Sequence, residues 1–242
     1  MKRAFTAIVL SSCLLVSLIS SYSIAQETKI TLVQDQITLL YPQEVRFSQV
    51  LADAYSHTKN DVYSLGTALL PPNKQHIIDA KKHDILSKLR NINTPDTSYL
   101  ATQLESLLFV YREHLETDPS KVRVNPKFDP MIKGEYWLSL PKRPDYIILI
   151  DPSTNRNVKV TLKTNSDLKN YLAELPGKNA YDSAWIIQAN QDTYLATDIQ
   201  WKDKLYFLSP GAIVFIGITN LPDQYSDLNA DIARLLAFHL EL

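Results

Sequence analysis

The sequence predicts an α+β fold in which one strand–turn–strand–helix unit occurs twice. Residues 29–55 (KITLVQDQITLLYPQEVRFSQVLADAY) and residues 146–175 (YIILIDPSTNRNVKVTLKTNSDLKNYLAEL) share this order of elements. In each half an apolar strand follows, and a glycine then precedes a final apolar strand. A hairpin with a helix packed across it and further strands beside it is the β-grasp arrangement, an α+β unit. We therefore expect two tandem β-grasp domains, over residues 26–140 and 141–222.

In the first unit, apolar and β-branched residues on both sides of positions 34–35 predict two short strands around a polar turn. The stretch VRFSQVLADAYSH then predicts a helix, because its apolar residues recur at helical spacing. Its predicted buried side consists of Phe47, Val50, Leu51 and Ala54. In the second unit, the turn residues DPSTNRN at 151–157 predict a hairpin.

An inserted helical hairpin is expected within the first unit, at about residues 73–117. The hydrophobic period changes there from that of a strand to that of a helix. The first helix is marked by Ile77, Ile78, Ile85 and Leu89. The second is marked by Leu100, Leu104, Leu107, Leu108 and Tyr111. The residues Asn-Thr-Pro-Asp at 93–96 predict the turn between the two helices.

The last residues, 223–242, predict an amphipathic helix. Its apolar side consists of Leu228, Ile232, Leu235, Leu236 and Leu242. Ser226 or Asp227 is expected to cap it, and Asp231 to pair with Arg234 three residues later. The apolar side of this helix is too short to span a bilayer, which takes about 20 apolar residues. Packing on the protein's own sheet is favoured because the polar side is mixed in charge; docking on a partner or a membrane surface is the alternative.

The first 25 residues have the pattern of a secretory signal peptide. Lys2 and Arg3 precede an apolar run, and Ser23-Ile24-Ala25 resembles a cleavage site. A retained membrane anchor and lipidation at Cys13 are the alternatives. Cleavage removes the chain's one cysteine, so no disulfide is expected, and it indicates a periplasmic location.

Composition argues against several classes of ligand. The chain has only five glycines, and they are dispersed, whereas loops that hold phosphates need clustered glycines. Nucleotide and dinucleotide enzymes are therefore unexpected, and no cofactor is predicted. With the signal peptide removed, 23 basic and 26 acidic residues give a net charge of −3. That balance offers no attraction for a nucleic acid.

Three residues are candidates for ligand binding: Tyr111, Arg112 and Trp201. Arg112 follows Tyr111 beside an apolar side of the predicted second helix, where its planar guanidinium could donate to sugar hydroxyls or carboxylates. The alternative, which the sequence favours, is a surface arginine paired with Glu116. Trp201 lies in a polar stretch and could stack on a sugar ring, whereas the apolar strands around Trp137 and Trp185 predict core positions.

No catalytic residue and no metal site is predicted. His76, Asp79 and His83 could share one helix side, but solvated surface positions are the favoured interpretation. No HExxH, CxxC or GxSxG motif is present. Carboxylates at 105, 113 and 116 on the helical hairpin leave open a glycosidase, which would need two carboxylates at a fixed separation.

Two short motifs remain: KGEYWLSLPKRPDYIILI, at 133–150 across the domain junction, and LYFLSPGAIVFIGI, at 205–218 near the end. They resemble the GfcC (YjbG-like) family of periplasmic capsule and exopolysaccharide biosynthesis proteins. The residues that carry the resemblance are Gly134, Tyr136, Leu138, Pro141, Arg143, Pro144, Pro210, Gly211 and Gly217. The family's β-grasp units are similar to those of the polysaccharide exporter Wza, in which a C-terminal amphipathic helix enters the membrane. The resemblance implies a role in surface-polysaccharide secretion or assembly, and it implies no catalytic residue.

We therefore expect a non-enzymatic periplasmic protein that acts in capsule or exopolysaccharide export or assembly. Its expected partners are the polysaccharide, the export machinery or both, and the C-terminal helix could add a peripheral contact. Two alternatives remain: an enzyme that modifies or hydrolyses the polysaccharide with carboxylates of the hairpin, and a structural subunit of the exporter.

Overall fold

The computed structural model describes residues 27–59, 61–173, 175, 181–200 and 204–241, and they form a mixed α+β fold. The predicted signal peptide and Trp201 lie outside the described residues. The strands are β1 (Thr28–Leu32), β2 (Ile37–Tyr41), β3 (Val45–Arg46), β4 (Ala68–Leu70), β5 (Met131–Ile132), β6 (Glu135–Ser139), β7 (Tyr146–Ile150), β8 (Val158–Thr161), β9 (Ser183–Ile187), β10 (Thr193–Thr197) and β11 (Ile213–Phe215). The helices are α1 (Phe47–His57), α2 (Gln75–Ile92), α3 (Pro95–Ser106), α4 (Pro119–Val124), α5 (Leu168–Leu172) and α6 (Leu228–Leu236).

Two sheets of the described chain share one topology. The first has the order β2-β1-β6-β4 and the second has the order β10-β9-β11-β7-β8. In each, an antiparallel hairpin (β1–β2 or β7–β8) supplies a strand that runs parallel to the last strand of its half (β6 or β11). That last strand pairs antiparallel with an intervening strand, β4 or β9. The second sheet adds β10 at its edge.

The first sheet is covered on one side by α1, as its sequence period predicts. Phe47, Val50, Leu51 and Ala54 are all 0% exposed and pack with the inward side chains of β1 and β6. The other side of this sheet is partly open. Trp137 lies there, 45% exposed, so its predicted core position was wrong. The reason is strand alternation: its neighbour Leu138 is the residue of β6 that points at α1.

The helical hairpin forms, but its second helix is shorter than predicted. Asn93 ends α2 in the left-handed conformation (φ 54°), and the Thr94 side chain accepts a bond from the Thr97 backbone N–H at the start of α3. Residue 107 is already extended (φ −90°, ψ 140°). The expectation that the helix continues through Tyr111 was therefore wrong.

An extended strap, residues 107–113, follows α3, and its backbone hydrogen bonds explain why it is not helical. The N–H of Val110 donates to the Phe238 carbonyl (2.9 Å), and the N–H of Leu240 donates to the Leu108 carbonyl (3.1 Å). The N–H of Glu113 donates to a carbonyl of β4 (2.8 Å). Partners far along the chain thus satisfy groups that a helix would have paired internally.

The C-terminal helix α6 packs into the core. Its apolar residues join those of α2 and α3 and one side of the second sheet in a single cluster. Leu228, Ile232, Leu235 and Leu236 are each at most 2% exposed, as predicted, whereas Leu242 lies outside the described residues. The opposite side of the second sheet is covered by α5. No helix within the described ranges has the length and apolar character needed to cross a bilayer.

The start of α6 differs from the predicted cap. Asp227 occupies the capping position with helical backbone angles (φ −86°, ψ −2°), and its side chain makes no capping bond. A 3-10 turn at Asp223–Tyr225 leads directly into the helix, so the extended geometry of an ordinary cap is missing. Arg234 pairs with Asp231 at 2.8 Å, which confirms that prediction.

Candidate functional site

A cavity of about 140 Å³ lies where the two halves of the fold meet. We call it the junction cleft and define it by Tyr63, Arg112, Gln188, Pro210 and His239, which are among its lining residues. The first half, the strap, the second sheet and the C-terminal segment each contribute to its wall. It is therefore built from parts of the chain that only the complete fold brings together.

Close packing of glycine against proline shapes one wall of the junction cleft. Gly211 has a φ of +76°, and a Cβ atom there would lie 2.9 Å from Cγ of Pro144. At Gly66, a Cβ atom would lie 3.0 Å from Cγ of Pro141. Both prolines belong to the segment that joins β6 to β7. These contacts give a structural role to Pro141, one of the residues on which the family resemblance rests, and to Gly211.

A second, more open cavity of about 630 Å³ lies beside the cleft, and Arg112 lines both. We call it the aromatic groove and define it by Lys81, Tyr111, Arg112, Gln191 and Phe238. The rings of Tyr111 and Phe238 lie 5.6 Å apart with an interplanar angle of 35°. The structure thus places two of the three predicted ligand-binding residues, Tyr111 and Arg112, in one groove.

Arg112 is buried, with only 8% of its surface exposed, and it is poorly satisfied. Nη2 donates to the Ala189 carbonyl at 3.1 Å, whereas Nε is enclosed and has no acceptor. A guanidinium has five N–H hydrogens, and this is the single acceptor that the described residues provide. Burial lowers the pKa of Arg112 to about 10, so the side chain is still charged at neutral pH.

The predicted pairing of Arg112 with Glu116 was wrong. Glu116 binds Lys121 (3.1 Å) and accepts the backbone N–H groups of residues 117 and 118. The two residues lie outside the helix that would have placed them four positions apart on one side. Arg112 therefore has no carboxylate partner among the described residues.

His239 is a residue of the junction cleft that sequence reasoning missed. Its Nδ1–H donates to the Leu108 carbonyl (2.9 Å), which fixes the neutral tautomer and leaves Nε2 as an enclosed acceptor without a hydrogen bond. Burial, together with the charges of Lys159 and Arg112, lowers the pKa of His239, although the bond to Leu108 opposes this. No motif surrounds it; only its place in an apolar C-terminal stretch hinted at burial.

Lys81 is the second residue that the sequence did not single out. It lies on α2 and lines the aromatic groove, and burial lowers its pKa. No ion pair involves it within the described ranges, because the nearby Asp231 is bound by Arg234 at 2.8 Å. The groove thus holds two cations, Arg112 and Lys81, that lack a bonded anion.

The carboxylates considered for hydrolysis are each engaged by a lysine or arginine. Glu105 binds Arg90 (2.5 Å) and Glu113 binds Lys74 (2.6 Å), in addition to the Glu116 pair. His76, Asp79 and His83 are all exposed on α2. In the part of the chain that the structure describes, no three His, Cys, Asp or Glu side chains are grouped as a metal site would require.

The fold and the cavities define a two-part α+β protein with a buried arginine at the junction of its halves that has no ion pair among the described residues. Residues 25–143 match the family described as capsule biosynthesis GfcC, N-terminal, and residues 156–240 match capsule biosynthesis GfcC C-terminal. The chain therefore belongs to the GfcC capsule biosynthesis family. It is also similar to the Escherichia coli K12 protein described as uncharacterized protein YjbG, with 26% identity over 144 residues. That match covers 57% of this chain and 57% of the relative.

Proposed function

We propose that this protein is a periplasmic accessory factor of capsule or exopolysaccharide export or assembly, and that it binds the polysaccharide at Arg112 without altering it chemically. Membership of the GfcC family supports the role in capsule biosynthesis. The signal peptide predicted at residues 1–25 supports the periplasmic location. The observation that carries the binding role is the buried, undersatisfied guanidinium of Arg112 between two cavities.

The proposal includes two tandem β-grasp domains, at 26–140 and 141–222, followed by the C-terminal helix. The shared sheet topology supports this, since each half has a hairpin whose first strand lies parallel to the last strand of the half. A helix also crosses each hairpin's sheet, α1 in the first half and α5 in the second. The junction of the two units would then be the binding site.

A buried arginine without an anion is costly, which is why it points to function. Removing a charged group from water costs free energy, which is recovered only when hydrogen-bond partners or counter-charges satisfy the group. This side chain has one partner, a neutral carbonyl. Groups of this kind are concentrated at functional sites. A ligand with oxygen acceptors would complete the coordination of the guanidinium, and the rings of Tyr111 and Phe238 offer an apolar surface beside it.

The test uses protein from residue 26 onward and the surface polysaccharide of the host strain. We expect binding by calorimetry, and we expect Arg112→Gln to weaken it about 10-fold or more, the value of a charge-assisted hydrogen bond. Arg123→Gln is the matched control, because it removes the same charge from an exposed position on α4. Loss of binding that is equal in both variants, or no binding by the unmodified protein, would refute the proposal.

The same mixture also tests the enzymatic alternative. We expect the chain length and the number of reducing ends of the polysaccharide to stay constant during prolonged incubation. A decrease in chain length that depends on Glu105 or Glu113 would instead assign hydrolysis to carboxylates of the hairpin region.

A further inference from the structure

The charges that line the two cavities are unevenly satisfied. Three of the cations, Arg112, Lys81 and the exposed Lys142, have no bonded anion among the described residues. Arg112 makes one hydrogen bond among the described residues, to the neutral carbonyl of Ala189, and its enclosed Nε has no acceptor. Lys81 has Asp231 in its surroundings, but Arg234 and Lys88 already bind that carboxylate.

The acidic residues of the same cavities all have partners. Glu113 binds Lys74 (2.6 Å), and Glu241 binds Lys159 (2.8 Å) and also accepts the Tyr146 hydroxyl. Asp192 accepts from the side-chain amide of Asn190 (2.7 Å). Asp192, like Arg112, has only a neutral side-chain partner, but it is exposed to solvent. Among the described residues of these cavities, the buried charge without a counter-charge is therefore the cation Arg112.

The guanidinium also restricts the shape of the missing anion. Its planar donors match the two oxygens of a carboxylate, which can bind two N–H groups at once. Nε–H of Arg112 has no acceptor. Nη2 has two hydrogens and one bond, so one of its hydrogens also lacks an acceptor. Nε and Nη2 together thus keep two hydrogens without an acceptor among the described residues, the number that one carboxylate takes.

The surroundings of Arg112 suit a sugar that carries such a group. The rings of Tyr111 and Phe238 lie in the same groove as Arg112 and Lys81. His239 also lines the cleft, and its Nε2, an enclosed acceptor in the neutral tautomer with Glu241 Oε1 3.8 Å away, would suit a hydroxyl donor. Because Nε of Arg112 and Nε2 of His239 are both enclosed, side chains must move before a ligand can reach either atom.

We propose that the junction cleft and the aromatic groove recognise an acidic sugar, with its carboxylate bound by Arg112 and Lys81 and its ring placed against Tyr111 and Phe238. This inference rests on the proposed function and adds the chemical class of the ligand. It predicts that the protein distinguishes a uronate residue from the same residue with its charge removed.

The experiment compares two probes that share a carbohydrate backbone. Oligogalacturonate carries one carboxylate per sugar, and its methyl ester is neutral with the same rings. We expect the acid to bind at millimolar concentration or below and the ester to bind about 10-fold or more weakly, since a charge-assisted bond becomes an ordinary one. Binding of the acid is expected to weaken as salt is raised. Inorganic phosphate, as a third probe, tests whether any anion suffices.

Variants then locate the interaction. Arg112→Gln is expected to abolish the preference for the acid, Arg112→Lys to restore it only in part because the planar fork is lost, and Arg123→Gln to leave it unchanged. Lys81→Gln is expected to weaken acid binding and to leave ester binding unchanged. The melting temperature of each variant is measured to show that it is folded. Arg112→Lys, which keeps the charge and most of the stem, tests the proposal if Arg112→Gln does not fold.

The results separate this inference from the proposed function. Equal binding of acid and ester, no binding of the acid, or a preference that survives in Arg112→Gln would overturn the acidic-sugar assignment. Stronger binding of phosphate than of the acid would also overturn it. If the host polysaccharide still binds in those cases, the proposed accessory role stands; if the host polysaccharide does not bind, the proposed function fails with it.

Discussion

Truncating Leu235 to alanine is expected to lower the free energy of unfolding by about 3 kcal/mol. Leu235 lies on α6, is 0% exposed and belongs to the cluster that joins this helix to the helical hairpin and the second sheet. Burying a leucine side chain away from water contributes about 1.5–3 kcal/mol to the free energy of unfolding. Truncation to alanine also leaves a cavity, so measured Leu→Ala losses are about 2–5 kcal/mol. We take a value in the lower half of that range as the expected effect.

The matched control is Arg234→Ala, one position earlier on the same helix. That side chain is 60% exposed and its ion pair with Asp231 is of the i,i+3 type, worth at most about 0.5 kcal/mol. Both variants are compared with the unmodified protein by urea unfolding followed by circular dichroism. For a chain of this size, a loss of about 3 kcal/mol corresponds to a melting temperature lower by roughly 6–12 °C.

The outcome decides between a helix that belongs to the core and a helix held in reserve for another partner. If Leu235→Ala and Arg234→Ala unfold at the same urea concentration, the buried surface of α6 contributes nothing to stability. The packing of this helix on its own protein would then be refuted, and docking on a partner or a membrane would be the better explanation.

Two further changes test the cleft and its pH dependence. Gly211→Ala is expected to destabilise the fold by about 1–3 kcal/mol, measured by urea unfolding, because the new Cβ adds strain at φ +76° and meets Pro144 at 2.9 Å. For His239, the lowered pKa means that the unfolded state binds the proton first, so stability is intact above about pH 6.5 and falls by up to about 1.4 kcal/mol per pH unit below it. His239→Gln is expected to remove that dependence of stability on pH. The raised pKa of Glu241, a group that both proteins contain, makes stability change with pH in the opposite direction. An unchanged dependence in the variant would show that another group causes it.

Elements whose side chains bury against nearby residues could be predicted from the sequence. The two hairpins β1–β2 and β7–β8 were found because short apolar runs are separated by turn residues. The helix α1 was found because its apolar spacing matches the side that the first sheet covers. Both are local patterns, and the tertiary structure agrees with the local preference there.

The strap after α3 could not be predicted, because its conformation is decided by residues at the other end of the chain. Leu107 and Tyr111 continue the helical period of α3, and they are partly buried, but in an extended segment. The backbone of the strap is paired with Phe238 and Leu240, about 130 positions later. A sequence period records which residues are buried, not which backbone partner is available.

The candidate site was found only in part for the same reason. An arginine following a tyrosine beside an apolar side drew attention to Arg112, but the interpretation as a helix surface suggested Glu116 as its partner. Its actual neighbours, Ala189 and His239, come from the second half and the C-terminal segment. No spacing within one segment could indicate a site that three distant segments build.

That construction also constrains what the C-terminal helix can do. The strap that carries Arg112 is held by backbone bonds to Phe238 and Leu240, immediately after α6. Releasing α6 to a membrane or a partner would remove those bonds and the wall that contains His239. Under the proposed function, ligand binding at Arg112 and release of α6 would therefore oppose each other. A ligand that binds only the packed form would stabilise it by RT ln(1 + [L]/Kd), about 2.7 kcal/mol when the ligand is 100 times its Kd, and release of α6 would be less favourable by the same amount.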